Sequence, residues 1–167
     1  MSEPKQGKAW KFGDGISTDH IAPGRLFHLR SNLPELAKHV LEDARTDFAP
    51  NVQTGDFVVA GNNFGQGSSR EHAPTIIKLA GVRAVVAKSF ARIFFRNAIN
   101  VGLPAIVADT DRIDEGDVLE LDLAQGKLFN RTRDITLEFP PLPDTMQTIL
   151  ADGGLVQHIK KHGDLVD

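Results

Sequence analysis

Short apolar runs alternate with helical patterns through the middle of the chain. Asp56–Ala60, Val82–Ala87 and Pro104–Ala108 consist mostly of valine, isoleucine, alanine and phenylalanine, which is typical of buried strands. Between the first two runs a helix is expected to end near Ala80, and between the last two Ser89–Asn100 carries apolar residues at helical spacing. The order strand, helix, strand, helix, strand predicts a three-layer α/β core with parallel strands.

A different pattern follows this core. Apolar and polar residues alternate in Val118–Leu123, and Lys127–Thr132 and Ile135–Phe139 are similar short segments, with glycine-containing turns nearby. We therefore expect a β-rich appendage to the parallel sheet. The last segment, Pro143–Asp167, has the pattern of two helices that are broken at Gly153-Gly154.

The segment between Ala22 and Gln53 is largely polar. Its one helical pattern, Pro34–Leu41, is interpreted as a short helix that lies with its flanking loop over a surface. With 167 residues, of which 41% are hydrophobic and 25% charged, the chain 1–167 is expected to form a single domain.

Charge and hydropathy exclude some partners. The formal net charge is −3 and the basic residues are scattered, so the sequence does not favour a nucleic-acid partner. It has no apolar run long enough to cross a bilayer, and Met1–Lys11 lacks the apolar core of a signal peptide. We expect no membrane partner either, and we predict a cytoplasmic protein.

The chain contains no cysteine, so thiol catalysis, disulfides and thiolate metal ligands are excluded. Among six histidines, His158 and His162 have the i, i+4 spacing of a helical metal site. No third ligand is evident beside them, and the segment is rich in lysine. We interpret them as solvated helix residues and expect no metal site in this chain.

The loop Gly61–Ser69 follows the first predicted strand. Its glycines, Gly65 and Gly67 among them, let the backbone approach a ligand closely, and the start of the next helix offers unpaired N–H groups to an anion. The loop is not a Walker loop, because no lysine follows its last glycine, and its glycine spacing differs from the dinucleotide fingerprint. An acidic ligand is favoured.

The loop ends in a polar cluster, Ser68-Ser69-Arg70-Glu71-His72. A guanidinium at Arg70 can bind a carboxylate through two hydrogen bonds, with the two hydroxyls facing the same ligand. The alternative is structural: Ser69 caps the helix, Arg70 faces solvent and His72 is a partly buried core residue.

A second candidate cluster lies near the start of the chain, at Ser17-Thr18-Asp19-His20-Ile21. Asp19 beside His20 either orients a catalytic group or closes an Asx turn, and on its own the turn is the better interpretation.

Taken together, these segments resemble the swivel domain of the aconitase superfamily. Gly61–Pro74 is similar to the serine loop of that family, and the resemblance includes Ser17–Ile21, Ala87–Asn97 and Asn100–Pro104, within roughly residues 12–165. A free-standing unit of this size resembles the small subunits of 3-isopropylmalate dehydratase, homoaconitase and 2,3-dimethylmalate dehydratase. The resemblance implies a swivelling β/β/α domain with a parallel sheet core and a β-rich appendage.

It also implies a heteromeric hydro-lyase. In this family a large subunit holds a four-iron four-sulfur cluster through cysteines, and one open iron acts as a Lewis acid on the substrate hydroxyl. The missing cysteines of this chain agree with that division, so we expect the cluster on a large partner subunit and no cofactor on this chain. The chain alone is expected to be inactive.

The resemblance assigns roles to individual residues. Ser68 is expected to remove the proton next to a carboxylate of a 2-hydroxy di- or tricarboxylic acid, while Ser69 and Arg70 bind that carboxylate. Asp19 is expected to orient groups of the site. Supporting positions are expected at Thr18, His20, Gly65, Gly67 and His72.

In the family a flexible loop selects the third substituent of the substrate, and here it corresponds to His28–Ser31. A buried arginine must be paired, so Arg30 favours a substrate with an additional carboxylate, as in homoaconitase or aconitase. If Arg30 instead faces water, an isopropyl group remains possible, and the exact substrate stays open. A stand-alone anion-binding module without catalysis is the alternative from another functional class.

Overall fold

One curled, seven-stranded sheet organises the protein. The structure, a computed structural model, describes residues 6–68 and 71–163. The strands are β1 (Gln6–Lys11), β2 (Phe57–Val59), β3 (Ala84–Ala87), β4 (Ala105–Val107), β5 (Val118–Asp122), β6 (Lys127–Asn130) and β7 (Ile135–Glu138). Their order in the sheet is β4-β3-β2-β1-β5-β6-β7. The first four strands are parallel, and β1 pairs antiparallel with β5, which begins an antiparallel half.

The helices are short. They are α1 (Thr18–Ile21), α2 (Leu33–Ala37), α3 (Phe48–Asn51), α4 (His72–Leu79), α5 (Arg92–Asn100), α6 (Asp144–Ala151) and α7 (Leu155–His162), with 3₁₀ helices at Gly24–Ser31 and Thr110–Arg112. None of the helices in the described part of the chain has the length and hydropathy needed to span a membrane.

Two hydrophobic cores lie on opposite faces of the parallel strands. Val58 and Val85 face a core that the helices complete, whereas Phe57 and Val86 face a core shared with Leu128 of the antiparallel half. This division follows from the side-chain alternation along a strand. The arrangement is a β/β/α stack of three layers, which confirms the predicted fold class, and the predicted appendage is a continuation of the same sheet.

The strand β1, which joins the two halves, was not predicted. Its sequence is mostly polar, and only Ala9 and Trp10 are buried. It is held by Asp56, whose carboxylate accepts hydrogen bonds from the backbone N–H of Lys8 at 3.0 Å, the indole Nε1 of Trp10 at 2.9 Å and the N–H of Gln53 at 2.9 Å. Because Asp56 is buried, its loss would leave these donors without an acceptor.

The segment from Ala22 to Gln53 is a loop, as predicted, but it carries a 3₁₀ helix, α2 and α3 where one helix, Pro34–Leu41, was predicted, and it does not merely lie over a surface. Leu36, Val40 and Leu41 are buried, as is Phe48 of α3, and all of them belong to the helix-side core. Phe48 packs edge-on against Trp10 at a ring-centroid distance of 5.3 Å. Because most residues of the segment are polar, its buried apolar residues were not predicted from the sequence.

The predicted break at Gly153-Gly154 is confirmed, but one prediction for α7 is wrong. His158 is fully buried rather than solvated, and its Nδ1 lies 2.8 Å from the Asp152 carboxylate at the end of α6. Both glycines have positive φ values, 91° and 128°, which fold α7 back so that this pair can form.

Candidate active site

The two candidate clusters of the sequence lie side by side. Backbone hydrogen bonds join the serine loop to the N-terminal segment: Gly15 N–H donates to Asn62 O at 2.8 Å, Gly65 N–H to Ile16 O at 2.7 Å, and Thr18 N–H to Gln66 O at 2.8 Å. The loop is therefore fixed along its length by the segment that carries Thr18, Asp19 and His20.

Thr18 contacts Ser68 directly. Its hydroxyl donates to the backbone carbonyl of Ser68 at 2.9 Å, and Thr18 Oγ1 lies 3.4 Å from Ser68 Oγ. Thr18 is buried and Ser68 is exposed. The threonine therefore holds the serine through its backbone carbonyl, and the serine residue remains accessible to solvent.

His20 has a defined local role. Ser17 is the N-cap of α1: its side chain accepts from His20 N–H, and His20 Nδ1 accepts from Ser17 N–H at 2.9 Å. Because a backbone N–H can only donate, a neutral His20 ring carries its proton on Nε2. This capping box, rather than an Asx turn, shapes the segment, and it leaves the neighbouring Asp19 exposed at the surface of α1.

Gly65 and Gly67 are required by the backbone and by close packing. Their φ values are +87° and +103°. A Cβ on Gly65 would lie 2.3 Å from the Phe94 ring, and one on Gly67 would lie 3.3 Å from Thr18 Oγ1. The glycines allow the loop to lie directly on these two side chains.

A cavity of about 310 Å³ opens beside Ser68. Thr18, Gly65, Gly67 and Ser68 line it from the serine loop and the N-terminal segment, and Ala91, Arg92, Ile93, Phe94 and Asn97 line it from the start of α5. The walls are mainly apolar, and the polar residues among those that line the cavity are Thr18, Ser68, Arg92 and Asn97. An apolar wall with a few polar residues is the usual composition of a pocket for a small molecule.

The α5 residues of this cavity were not assigned to the site from the sequence. The helix was predicted to begin at Ser89 but begins at Arg92. Ser89 instead extends the loop contacts, because its hydroxyl accepts from Asn63 N–H at 2.8 Å and its carbonyl accepts from Phe64 N–H at 3.0 Å. The available signal was the resemblance of Ala87–Asn97 to the family.

The end of the serine loop is only partly described. The predicted carboxylate-binding residues Ser69 and Arg70 lie outside the described residues. The alternative in which Ser69 caps the next helix falls on the same undescribed residues; the helix α4 begins at His72, with Glu71 at the N-cap position. His72 is half-buried at the first position of α4.

Arg30 does not line the cavity. It lies at the end of the 3₁₀ helix Gly24–Ser31 and is exposed. Its guanidinium lies 4.1 Å from the centre of the Phe27 ring, and Nη1 donates to Phe27 O at 3.2 Å. Phe27 is itself half exposed, so the pair forms a surface feature of this loop.

A second polar cluster lies between α6 and α7. Asp152, His158 and His162 lie close enough together to hold a metal ion. The sequence did not reveal Asp152 as a third possible ligand beside the two histidines. Its carboxylate already accepts from His158 at 2.8 Å, His162 at 3.1 Å and Lys161 at 3.2 Å. A metal bound at His158 Nδ1 would leave a proton on Nε2, which is buried without an acceptor among the described residues. We interpret the cluster as a link between the two helices.

The chain is similar to known proteins over nearly its whole length. The aconitase C-terminal domain family matches residues 30–110. The 3-isopropylmalate dehydratase small subunit 2 of Archaeoglobus fulgidus is 65% identical over 159 residues, which cover 95% of this chain and 96% of that protein. The chain belongs to the 3-isopropylmalate dehydratase small-subunit family. A member of this family from Thermotoga maritima is 63% identical over 95% of this chain and 96% of that protein.

A solved structure agrees with the family assignment. The crystal structure of 3-isopropylmalate dehydratase (leuD) from Methanocaldococcus jannaschii matches with a TM-score of 0.90 and 45% identity, over 95% of both chains. The curled sheet and the helical layer described above are therefore the architecture of the family.

Proposed function

We propose that this chain is the small subunit of a heteromeric hydro-lyase of the 3-isopropylmalate dehydratase type, and that Ser68 is its base. The observation that carries the proposal is the geometry of Ser68, which is exposed at the end of a rigid glycine loop, supported by Thr18, and open to a cavity beside it. Family membership supplies the reaction class.

In this reaction Ser68 removes a proton from the carbon next to a carboxylate, and the hydroxyl leaves from the neighbouring carbon, so an alkene forms; the proton and the hydroxide together make up the one water that is lost. Addition of water in the opposite sense gives the isomeric hydroxy acid. Thr18 has one hydroxyl proton, and when it donates that proton to the Ser68 carbonyl, its Oγ1 can accept from Ser68 Oγ. Thr18 thus orients the serine hydroxyl rather than stabilising an alkoxide.

An alkoxide at Ser68 requires positive charge nearby, because a serine hydroxyl is a weak base. Arg70 follows the loop in the sequence, and Arg92 is among the residues that line the cavity beside Ser68. Asp19 is exposed on α1 next to Thr18, in a position to orient groups that approach the loop from the partner.

The partner is a large subunit. This chain has no cysteine to hold an iron-sulfur cluster, so the ligands of a four-iron four-sulfur cluster belong to that subunit. When bound, the cluster supplies the Lewis acid that assists departure of the hydroxyl. The small subunit supplies the base and the walls of the pocket.

The substrate is a 2-hydroxy dicarboxylate with an alkyl group. The relatives named above are 3-isopropylmalate dehydratase subunits, and the largely apolar cavity beside Ser68 suits an isopropyl group. A homoaconitase-type tricarboxylate is the second candidate, since Arg30 places a cation on the loop that corresponds to the specificity loop. Aconitase-like and 2,3-dimethylmalate substrates are the remaining alternatives.

The test is anaerobic reconstitution of this chain with the large subunit, with hydration of isopropylmaleate and homoaconitate as the assays. We expect activity only with both subunits and a loss of at least about 100-fold in Ser68→Ala. Thr136→Ala removes an exposed hydroxyl from β7 and is the matched control, with activity unchanged.

Full activity of Ser68→Ala would contradict the role of the serine. A chain that binds dicarboxylates alone in calorimetry, and that stays inactive with the large subunit, would replace the proposal by a stand-alone anion-binding module.

A further inference from the structure

We propose that the N-terminal turns of α5 form a second substrate-binding wall of the active site, in which Arg92 binds a substrate carboxylate and Ile93 contacts the alkyl group. This inference rests on the proposed function and deepens it, because it names residues that select the substrate. It depends on three features of α5: an uncommitted guanidinium, an exposed isoleucine and a rigid connection to the serine loop.

The guanidinium of Arg92 is exposed, and it makes no hydrogen bond or ion pair with residues 6–68 or 71–163. Several other arginines are paired: Arg45 binds Asp47 at 2.7 Å and Glu115 at 2.9 Å, and Arg131 binds Glu120 at 2.9 Å. Arg92 lines the same cavity as Ser68. A free guanidinium at this position is suited to bind a carboxylate through two hydrogen bonds.

Ile93 is the next residue of the same turn, and 49% of it is exposed although it lines the cavity. With Ala91 and Phe94 it contributes the apolar residues of α5 and its N-terminal flank to the lining of this cavity. Contact with a branched alkyl group would remove this apolar surface from water, which favours binding. Asn97 lies one turn further along on the face of Ile93 and adds an amide to the same wall.

The two sides of the cavity form one rigid unit. Ala91 N–H donates to Phe64 O at 2.9 Å, directly before α5 begins. The Phe94 ring packs edge-on against Phe64 at 5.2 Å and stacks with Phe90 at 6.2 Å. Arg92 and Ile93 are thus held in a fixed position relative to the loop that carries Ser68, as substrate-binding residues must be.

The test uses the complex of this chain with its large subunit. Arg92→Gln is expected to raise KM about 10- to 100-fold, since a charge-assisted hydrogen bond is worth about 1.5–3 kcal/mol, while Arg92→Lys restores part of the affinity. Arg96→Gln is the matched control, because Arg96 is exposed on the same helix but does not line the cavity, and its KM is expected to stay unchanged.

For Ile93, the measurement is the ratio of kcat/KM for isopropylmaleate to kcat/KM for methylmaleate. Ile93→Ala is expected to lower this ratio about 10-fold, because the longer alkyl group loses more contact than the methyl group. Ile159→Ala, at an exposed apolar position of α7, is expected to leave the ratio unchanged.

The outcomes separate this inference from the proposed function. Wild-type protein without activity in the complex would contradict the proposed function. If the wild-type complex is active but Arg92→Gln and Arg96→Gln have the same KM, only the inference is contradicted. The large-subunit concentration that gives half-maximal activity is measured in parallel. If Arg92→Gln raises that concentration and leaves KM unchanged, Arg92 contacts the partner instead of the substrate, which overturns the proposal.

Discussion

The hydroxyl of Thr18 donates a hydrogen bond to the backbone carbonyl of Ser68, 50 residues further along the chain. This bond joins the N-terminal segment to the end of the serine loop at the point where the loop meets the cavity. The position of the proposed base is therefore determined by a residue of a different segment.

Thr18→Val removes this hydroxyl and keeps the shape of the side chain. We expect a loss of unfolding free energy of about 1 kcal/mol, typical of one hydrogen bond, and a fall in kcat of about 10-fold because Ser68 is less well oriented. Urea unfolding and steady-state kinetics of the complex measure the two effects. Thr18→Ser retains the hydroxyl, so a Thr18→Ser variant as inactive as Thr18→Val would argue against this role.

Gly65→Ala tests the packing of the loop on α5. The added Cβ would lie 2.3 Å from the Phe94 ring, so the loop must shift, and we expect at least about 2 kcal/mol of destabilisation together with a large loss of activity. Gly116 is the control: its φ of +85° is close to the +87° of Gly65, but a Cβ there meets nothing within 4 Å. Gly116→Ala should therefore show only the backbone cost of about 1 kcal/mol, with activity unchanged. Equal effects of the two substitutions would exclude the contact with Phe94 as the cause.

The cluster of Asp152 should make stability depend on acidic pH. Hydrogen bonds from His158, then Lys161 and His162, lower the pKa of the Asp152 carboxyl from 3.8 to about 2. The unfolded state thus binds the proton more tightly than the folded state, so the stabilisation is complete above about pH 4 and is lost as the pH falls to about 2.

Melting temperatures measured between pH 6 and pH 2 check this expectation. Asp152→Asn should lower the melting temperature at pH 6 and flatten its decline toward pH 2. The control Asp134→Asn alters an exposed carboxyl at a backbone position that asparagine also tolerates, and its profile should follow that of the wild type. A wild-type profile as flat as that of Asp152→Asn would contradict the prediction.

Arg30 remains the residue that tests a tricarboxylate substrate. If it binds an additional carboxylate, Arg30→Val should lower kcat/KM for homoaconitate more than for isopropylmaleate, by about 2 kcal/mol, or roughly 30-fold. Its contact with Phe27 gives the control, since Phe27→Leu removes the ring beneath the guanidinium without removing the charge. Equal losses on both substrates in Arg30→Val would remove the specificity role.

Much of the fold could be predicted from periodicity. The strands β2 to β7 and the break between α6 and α7 have strong local patterns. In contrast, β1 has a polar sequence whose strand conformation depends on long-range pairing and on the buried carboxylate of Asp56. Propensity carries no information about such partners.

The candidate site was predicted chiefly through the family resemblance. It brought together Thr18 and Ser68, which the structure places in contact. Arg92 and Ile93 were missed because the start of α5 depends on the bridge between Phe64 and Phe90, which holds Ser89 and Phe90 outside the helix. The burial of His158 was not predicted, because it results from the packing of α7 against α6, which the local sequence does not show. The site roles, the single domain and the cytoplasmic location stay predictions.

The central place of β1 affects how the protein folds as it is synthesised. Gln6 faces Glu120, 114 residues later, so the antiparallel edge of β1 has no partner until β5 has left the ribosome. Pairing over such a distance slows folding, and an open strand edge can recruit strands of other chains. A chain that ends before Val118 therefore leaves this edge of β1 unpaired, and we expect such a chain to aggregate more readily than the full-length chain.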